Sequence, residues 1–237
     1  MIEIPDFGDA HHEMWVELMA LAEAPPVPWT LIGAQMVALH GWAHGRDQIR
    51  PSEDADILVN CRVVTNGVPI LAAALIDDDF ELYDPSMMGI GHHFRRGQLK
   101  LDVLAPDGLG EKVDISTVGK LRAPRVPGGT QALTRTRSVD VRSRGASGPV
   151  PMPDLLGALL VKVRAIDVDD VPEAQRRDVA FLLSLVEDPD ALRADLSKTE
   201  IKGLRREDGF GDPSSPCWRG FNSAEDGVIV YRRLTGT

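Results

Sequence analysis

Three aspartates are spaced so that their carboxylates could hold a divalent cation. Asp54 and Asp56 flank one alanine at the start of an apolar run, and the period of two in a strand puts both side chains on one face. Asp102 lies between Leu101 and Val103 in an otherwise apolar segment. If the two strands are neighbours, the three carboxylates converge, which is tolerable only around a cation. Mg²⁺ suits such oxygen ligands, supplemented by substrate phosphates.

A phosphate-binding turn is predicted upstream of these aspartates. The apolar run Trp29–Ile32 ends at Gly33, and apolar residues at helical spacing begin at Ala34. Because glycine lacks a side chain, backbone amides there can approach a phosphate, and the N-terminus of the following helix favours negative charge. Gly33 and Ala34 are therefore candidates for binding a nucleotide phosphate.

In chain order, these residues resemble the signature of the DNA-polymerase-β-like nucleotidyltransferase superfamily. The matching segments are Gly33-Ala34, Arg50-Pro51-Ser52-Glu53-Asp54-Ala55-Asp56-Ile57 and Leu101-Asp102-Val103-Leu104. Within the superfamily, the R-x-S-x-D-x-D form is most similar to the AbiEii/MenT toxin-type family.

Two later segments extend the resemblance to about residues 30–185. Lys162 in LLGALLVKVRA resembles the helical lysine of the family that contacts the triphosphate, and Arg177-Asp178-Val179 resembles its K-D-hydrophobic motif. Two positions depart from the pattern. Ala34 replaces the serine or glycine that usually follows Gly33, which removes a hydroxyl, and Arg177 replaces a lysine, which keeps the charge but not the geometry.

The resemblance implies transfer of a nucleoside monophosphate from a nucleoside triphosphate to an acceptor hydroxyl, with release of pyrophosphate. Asp54 and Asp56 would bind both metal ions, Mg²⁺ or Mn²⁺, and Asp102 would complete the site nearest the attacking oxygen. Such a pair of cations clamps the attacking and leaving oxygens of an in-line displacement. The residues implied to orient the triphosphate are Gly33, Ala34, Arg50, Ser52 and Lys162, with Asp178 positioning Lys162 or the acceptor.

Three functions are compatible with these motifs. The first is a toxin that modifies tRNA and is neutralised by an antitoxin protein. The second is a small-molecule nucleotidyltransferase with a cationic, aminoglycoside-like acceptor, which a net acidic protein would attract better than tRNA. The third is a catalytically idle nucleotide-binding or regulatory module, suggested by Ala34 and by the acidic balance.

The composition excludes several other classes of protein. The 26 Lys and Arg against 36 Asp and Glu give a formal charge of −10, which disfavours extended DNA or RNA binding. No apolar run approaches the roughly 18 residues of a membrane span, and the acidic N-terminus is unlike a signal peptide, so a cytoplasmic protein is expected. Cys61 and Cys217 have no disulfide or zinc-site spacing and are interpreted as ordinary thiols.

Two histidines precede the Asp102 strand. His92-His93, with Arg95-Arg96, suggests a second metal site or a nucleic-acid contact, but a polar loop is the favoured interpretation.

The predicted fold is α/β (α+β): a small mixed sheet carrying the aspartates, flanking helices, and a helical C-terminal lobe. The predicted domains are a nucleotidyltransferase core at 1–146 and a helical lobe with an irregular tail at 147–237. Helices are predicted at 8–24, 34–44, 69–76, 154–166 and 173–185, and strands at Trp29–Ile32, 55–59, 80–83, 98–103 and 134–142. Residues 105–130 are predicted to be a loop with a short strand near 113–115, residues 145–153 to be irregular, and residues 228–231 to add a strand.

Overall fold

The computed structural model describes residues 1–47, 53–206 and 208–237, so Arg50 and Ser52 lie outside the described residues. The strands are β1 (Ile2–Glu3), β2 (Trp29–Ile32), β3 (Asp54–Val59), β4 (Glu81–Leu82), β5 (His93–Arg96), β6 (Leu99–Pro106), β7 (Arg125–Val126), β8 (Thr136–Ser143) and β9 (Ala146–Pro153). The helices are α1 (Asp9–Glu23), α2 (Gly33–Ala43), α3 (Gly67–Asp77), α4 (Gly129–Thr134), α5 (Leu155–Ala165), α6 (Pro172–Leu183), α7 (Pro189–Ala194), α8 (Lys198–Leu204) and α9 (Ala224–Thr235).

The larger sheet is mixed and has the strand order β2-β3-β6-β5-β4, with β7 pairing to β6. Its centre is the parallel pair β3 and β6, while β2, β5 and β4 join by antiparallel pairing. Apolar residues dominate β3 and β6 because both strands are buried by helices, as is usual for parallel strands. The predicted α/β class is confirmed.

The helices predicted from 3.6-residue periodicity are confirmed within one or two residues at each end. The helix predicted at 154–166 is α5. Asp154 is its N-cap, and the Asp154 carboxylate accepts a hydrogen bond of 2.8 Å from the amide of Gly157. None of the described helices is long and apolar enough to span a bilayer.

The prediction that residues 145–153 are irregular is wrong. They form β9, which pairs antiparallel with β8 along its whole length in the small sheet β1-β8-β9. The hairpin turns at Arg144 and Gly145, both at positive φ, which matches the twist of the flanking strands. Proline is tolerated here because β9 is an edge strand. The predicted domain division at 146–147 falls within this hairpin.

The outer edge of β9 faces the larger sheet. Its proline carbonyls accept hydrogen bonds from two side chains: the Pro153 carbonyl accepts from His40 Nε2 at 3.0 Å, and the Pro151 carbonyl accepts from the Thr30 hydroxyl at 3.5 Å. Burial lowers the pKa of His40 to about 4, so the ring is neutral and Nε2–H can donate. These contacts join the small sheet to α2 and β2.

Two further sequence predictions fail. Residues 228–231 lie in α9 instead of a strand, because Val228, Tyr231 and Leu234 are buried at helical spacing, a period that a four-residue apolar run cannot reveal. No strand forms at 113–115 within the described residues; the short strand of that region is β7. The tail is also less irregular than predicted, since α7, α8 and α9 occupy much of it.

Trp15 anchors α1 in the core. Its indole is fully buried, donates a hydrogen bond of 3.1 Å to His11 Nε2, and packs edge-on against Trp42. We expect Trp15→Ala to reduce the free energy of unfolding by about 3–5 kcal/mol, since it leaves a large cavity. The neighbouring Val16 is 39% exposed, so Val16→Ala should cost under about 1 kcal/mol. Urea denaturation measures both, and equal losses would show that α1 is not anchored through Trp15.

Candidate functional site

Asp56 and Asp102 become neighbours because two distant strands pair in one particular register. Asp56 on β3 lies directly opposite Asp102 on β6, and His93 on β5 lies opposite Asp102 on its other side. Adjacent strands are about 4.8 Å apart, and residues that lie opposite share a face of the sheet. Asp54 lies two positions before Asp56 and is therefore on that face too. A row of acidic and imidazole side chains thus crosses three adjacent strands.

Gly33 brings the start of α2 against one of these carboxylates. Its φ is +72°, and a side chain at this position would place Cβ 1.7 Å from Asp56 Oδ2. The preceding residue, Ile32, pairs with Asp56 across β2 and β3. The sheet register therefore sets the N-terminus of α2, the positive end of its dipole, beside the acidic group. Ala34, the second residue of this helix, is buried.

The burial and the charges of the site shift the pKa of Asp56. Burial, followed by the negative charges of Asp102 and Asp54, raises the pKa of Asp56 to about 7, although Lys162 and His93 oppose this shift. A carboxyl group is held partly protonated at neutral pH in this way when like charges crowd around it. A divalent cation among the three aspartates would relieve that repulsion.

Lys162 and Asp178 form a buried ion pair behind the aspartates. Lys162 Nζ on α5 donates to Asp178 Oδ2 at 2.9 Å and to Gln175 Oε1 at 3.0 Å, both on α6. The amide of Gln175 in turn donates to Asp169 at 2.6 Å. Because Lys162 acts on the pKa of Asp56, its positive charge lies within electrostatic range of the acidic row. The helix pair α5 and α6 therefore presents a fixed cation to the site.

The structure also brings two histidines to Asp102. His93 Nδ1 lies 2.7 Å from Asp102 Oδ1, and His92 Nε2 lies 4.0 Å from Asp102 Oδ2. The hydrogen bond to Asp102 raises the pKa of His93, whereas burial lowers that of His92. Among the described residues, His92, His93 and Asp102 form a group whose ligand atoms all lie within 4.8 Å of one another.

The favoured interpretation as a polar loop is wrong for His93, which begins β5, whereas His92 lies in the irregular segment before that strand. The segment HFRR has one buried apolar residue, Phe94, which is too weak an alternation to predict a strand. Gln175, the other contact of Lys162, also went unpredicted. Its position three residues before Asp178 on a helix was the available signal, since such residues share a face.

Arg177 lies apart from the residues that it accompanies in the sequence motif. It is half-buried and lines a cavity of about 470 Å³ with Arg176, Arg219 and Cys217, whereas Asp178 points to Lys162. Successive residues of a helix face different directions, so the guanidinium of Arg177 and the carboxylate of Asp178 lie on different faces of α6.

Comparisons with known proteins place few constraints on the function. No protein-family model matches the sequence, and no curated protein matches it. Among solved structures, the chain is similar to an antigenic nucleotidyltransferase-like protein from Paracoccidioides brasiliensis, with 15% identity and a TM-score of 0.48 over 82% of this chain and 85% of that one. A likeness at that level does not identify a function.

The close approach of Gly33 to Asp56 can be tested against a second glycine near the other end of the same helix. Gly45 also has positive φ, +66°, but no atom lies within 4 Å of the position that an added Cβ would take there. We expect Gly45→Ala to cost about 1–2 kcal/mol through backbone strain alone. Gly33→Ala should cost at least about 1 kcal/mol more, because the methyl group overlaps Asp56. Chemical denaturation measures both, and equal costs would mean that Asp56 does not press against Gly33.

The buried pair can be tested with a double-mutant cycle. Asp178→Ala or Lys162→Met alone leaves an uncompensated buried charge or acceptor, and we expect Asp178→Ala to lose about 3–5 kcal/mol of unfolding free energy. The double variant should lose less than the sum of the single changes. The exposed pair of Arg233 and Asp190, 2.8 Å apart, is the control and should couple by under about 1 kcal/mol. Additive losses at Lys162 and Asp178 would contradict the pairing.

Proposed function

We propose that the protein is a metal-dependent nucleotidyltransferase, which moves a nucleoside monophosphate from a nucleoside triphosphate to an acceptor hydroxyl. The observation that carries the proposal is the register that sets Asp56 opposite Asp102 while Gly33 holds the N-terminus of α2 against Asp56. This arrangement combines a cation site and an anion site on adjoining elements, which is what a metal-bound triphosphate requires.

The residues fit a divalent cation such as Mg²⁺ or Mn²⁺. Asp54, Asp56 and Asp102 offer carboxylate oxygens on one face of the sheet. Burial, and after it the charges of Asp102 and Asp54, raise the pKa of Asp56, and a cation would relieve the repulsive part of that shift. When bound, the cation would neutralise charge on the phosphates and stabilise the attacking and leaving oxygens. These three residues would hold it.

The surrounding side chains would orient the triphosphate. The backbone at Gly33 can approach a phosphate closely because no side chain intervenes. Lys162 supplies a positive charge whose position is fixed by Asp178 and Gln175, so little conformational entropy is lost when substrate binds. Asp178 acts through Lys162 as a positioning residue. Arg50 and Ser52 are proposed to contact the phosphates on the strength of the sequence resemblance alone.

The acceptor is proposed to be either RNA, with the protein serving as the toxin of a toxin-antitoxin pair, or a cationic small molecule. The AbiEii/MenT-type motif order supports the first. The formal charge of −10 supports the second, because an acidic protein attracts a cation and repels a polyanion. A cytoplasmic location, which we also propose, would give access to either acceptor.

Transfer should depend on each of the three aspartates. We expect Asp54→Asn, Asp56→Asn and Asp102→Asn each to lower the rate of nucleotide transfer about 100-fold or more, an effect of roughly 3 kcal/mol on the barrier. The exposed Asp140 on β8 is the control, and Asp140→Asn should leave the rate within about twofold. The assay follows label from each α-labelled nucleoside triphosphate with Mg²⁺ or Mn²⁺. Full activity in any of the three variants would remove that residue from the metal site.

The same assay separates the acceptors. Label on total tRNA supports the toxin, and growth arrest by the wild type but not by Asp54→Asn would complete that case. Label on an aminoglycoside supports the small-molecule enzyme. If nucleoside triphosphate with Mg²⁺ raises the melting temperature but label reaches no acceptor, the protein is a nucleotide-binding module and the proposed transfer is wrong.

A further inference from the structure

His92, His93 and Asp102 lie at one end of the acidic row, and the motifs resembling the nucleotidyltransferases assign no role to either histidine. The two imidazole rings are 3.8 Å apart between centroids, and Tyr83 packs against the outer ring, that of His93, at 5.6 Å. We propose that these three residues form a nitrogen-containing site for a first-row transition-metal cation, such as Zn²⁺ or Mn²⁺, next to the all-carboxylate site and sharing Asp102 with it.

The distances are compatible with ligands of one cation. Two ligand atoms about 2.1 Å from a cation are about 3.0 Å apart when they are at right angles and about 4.2 Å apart when they are opposite. The 4.0 Å between His92 Nε2 and Asp102 Oδ2 is too long for a hydrogen bond but lies within that range. The 2.7 Å between His93 Nδ1 and Asp102 Oδ1 needs to widen by only a few tenths of an ångström as the cation replaces the shared proton.

The orientation of His92 supports this assignment. Its Nδ1 is buried and has no hydrogen-bond partner among the described residues, while its Nε2 faces Asp102. Because Nδ1 is enclosed and Nε2 faces Asp102, Nε2 is the nitrogen of His92 that can reach a cation beside Asp102. The packing of Tyr83 on His93, with Arg95 above the tyrosine ring at 5.2 Å, limits how far the rings can turn away.

The ligand set determines which cation is preferred. Imidazole nitrogen binds Zn²⁺ and other transition metals well and Mg²⁺ poorly, whereas carboxylate oxygen accepts Mg²⁺ and Mn²⁺. Two histidines and one aspartate leave coordination positions open for water or substrate, as in catalytic metal sites. Because Asp102 would contribute to both sites, the second cation would lie beside the face where the acceptor hydroxyl is proposed to bind. Binding of the metal itself does not require that the proposed transfer occurs.

Calorimetric titration of the metal-free, full-length protein with ZnCl₂, MnCl₂ and MgCl₂ tests the assignment. We expect Zn²⁺ to bind at least about tenfold more tightly than Mg²⁺, and Co²⁺ to give visible absorption bands that report nitrogen ligation. His92→Gln/His93→Gln should weaken Zn²⁺ binding about 100-fold and abolish the Co²⁺ bands. His12→Gln/His44→Gln removes two histidines elsewhere and should change neither. Circular dichroism and the melting temperature verify that each variant is folded.

The outcomes separate this inference from the proposed function. Equal binding of Zn²⁺ and Mg²⁺ by the wild type, or Zn²⁺ binding that survives in folded His92→Gln/His93→Gln, would overturn the nitrogen site even if nucleotide transfer is intact. Tight, histidine-dependent Zn²⁺ binding in a protein that labels no acceptor would support the site while contradicting the transfer. If His92→Gln alone leaves Zn²⁺ affinity and the Co²⁺ bands of the wild type unchanged, His92 is not a ligand and the site as proposed is wrong.

Discussion

The parallel pairing of β3 with β6 is the constraint on which the site depends. These strands are separated by some forty residues that include α3, β4 and β5, and only one register sets Asp56 opposite Asp102. A slip of one residue would send Asp102 to the opposite face of the sheet and leave an apolar neighbour in its place. The apolar residues on either side of both aspartates hold the register, because they must be buried while the carboxylates are kept at the site. The packing that buries these apolar residues therefore also assembles the site.

A second consequence of that register is the position of α2. Ile32 pairs with Asp56, so the chain must turn into the helix immediately beside a carboxylate, and only a residue without a side chain can make that turn. The acidic row therefore adjoins the positive end of a helix dipole on one side and the buried charge of Lys162 on another. These positive charges partly compensate the negative charge of the aspartates before any ligand binds. The compensation limits the free energy that the buried aspartates cost in folding, and the remaining negative charge can still bind a cation.

The sequence predicted those parts of the molecule that short-range periodicity controls. The period of two put Asp54 and Asp56 on one face, the 3.6-residue period located α1, α5 and α6, and glycine marked the turn before α2. Strand order could not be predicted from local patterns. The pairing of β6 with β3 joins segments that are far apart in the chain, and no local pattern indicates which strands become neighbours. The proximity of Lys162 to Asp178 was suggested by family motifs, while the contact of His93 with Asp102 depends on strand order and could not be predicted.

The prolines of β9 have an effect on solubility as well as on local geometry. Proline recurs at every second position, 149, 151 and 153, so the strand lacks N–H donors along one side only. The amide of Asp154 points to the other side, because it donates to the carbonyl of Arg135, just before β8. The side without donors is therefore the side away from β8. The carbonyls of Pro151 and Pro153 on that side are already bonded to Thr30 and His40. A foreign strand would find neither donors nor vacant acceptors at these positions, so this border of the small sheet is protected from the edge-to-edge association that leads to aggregation.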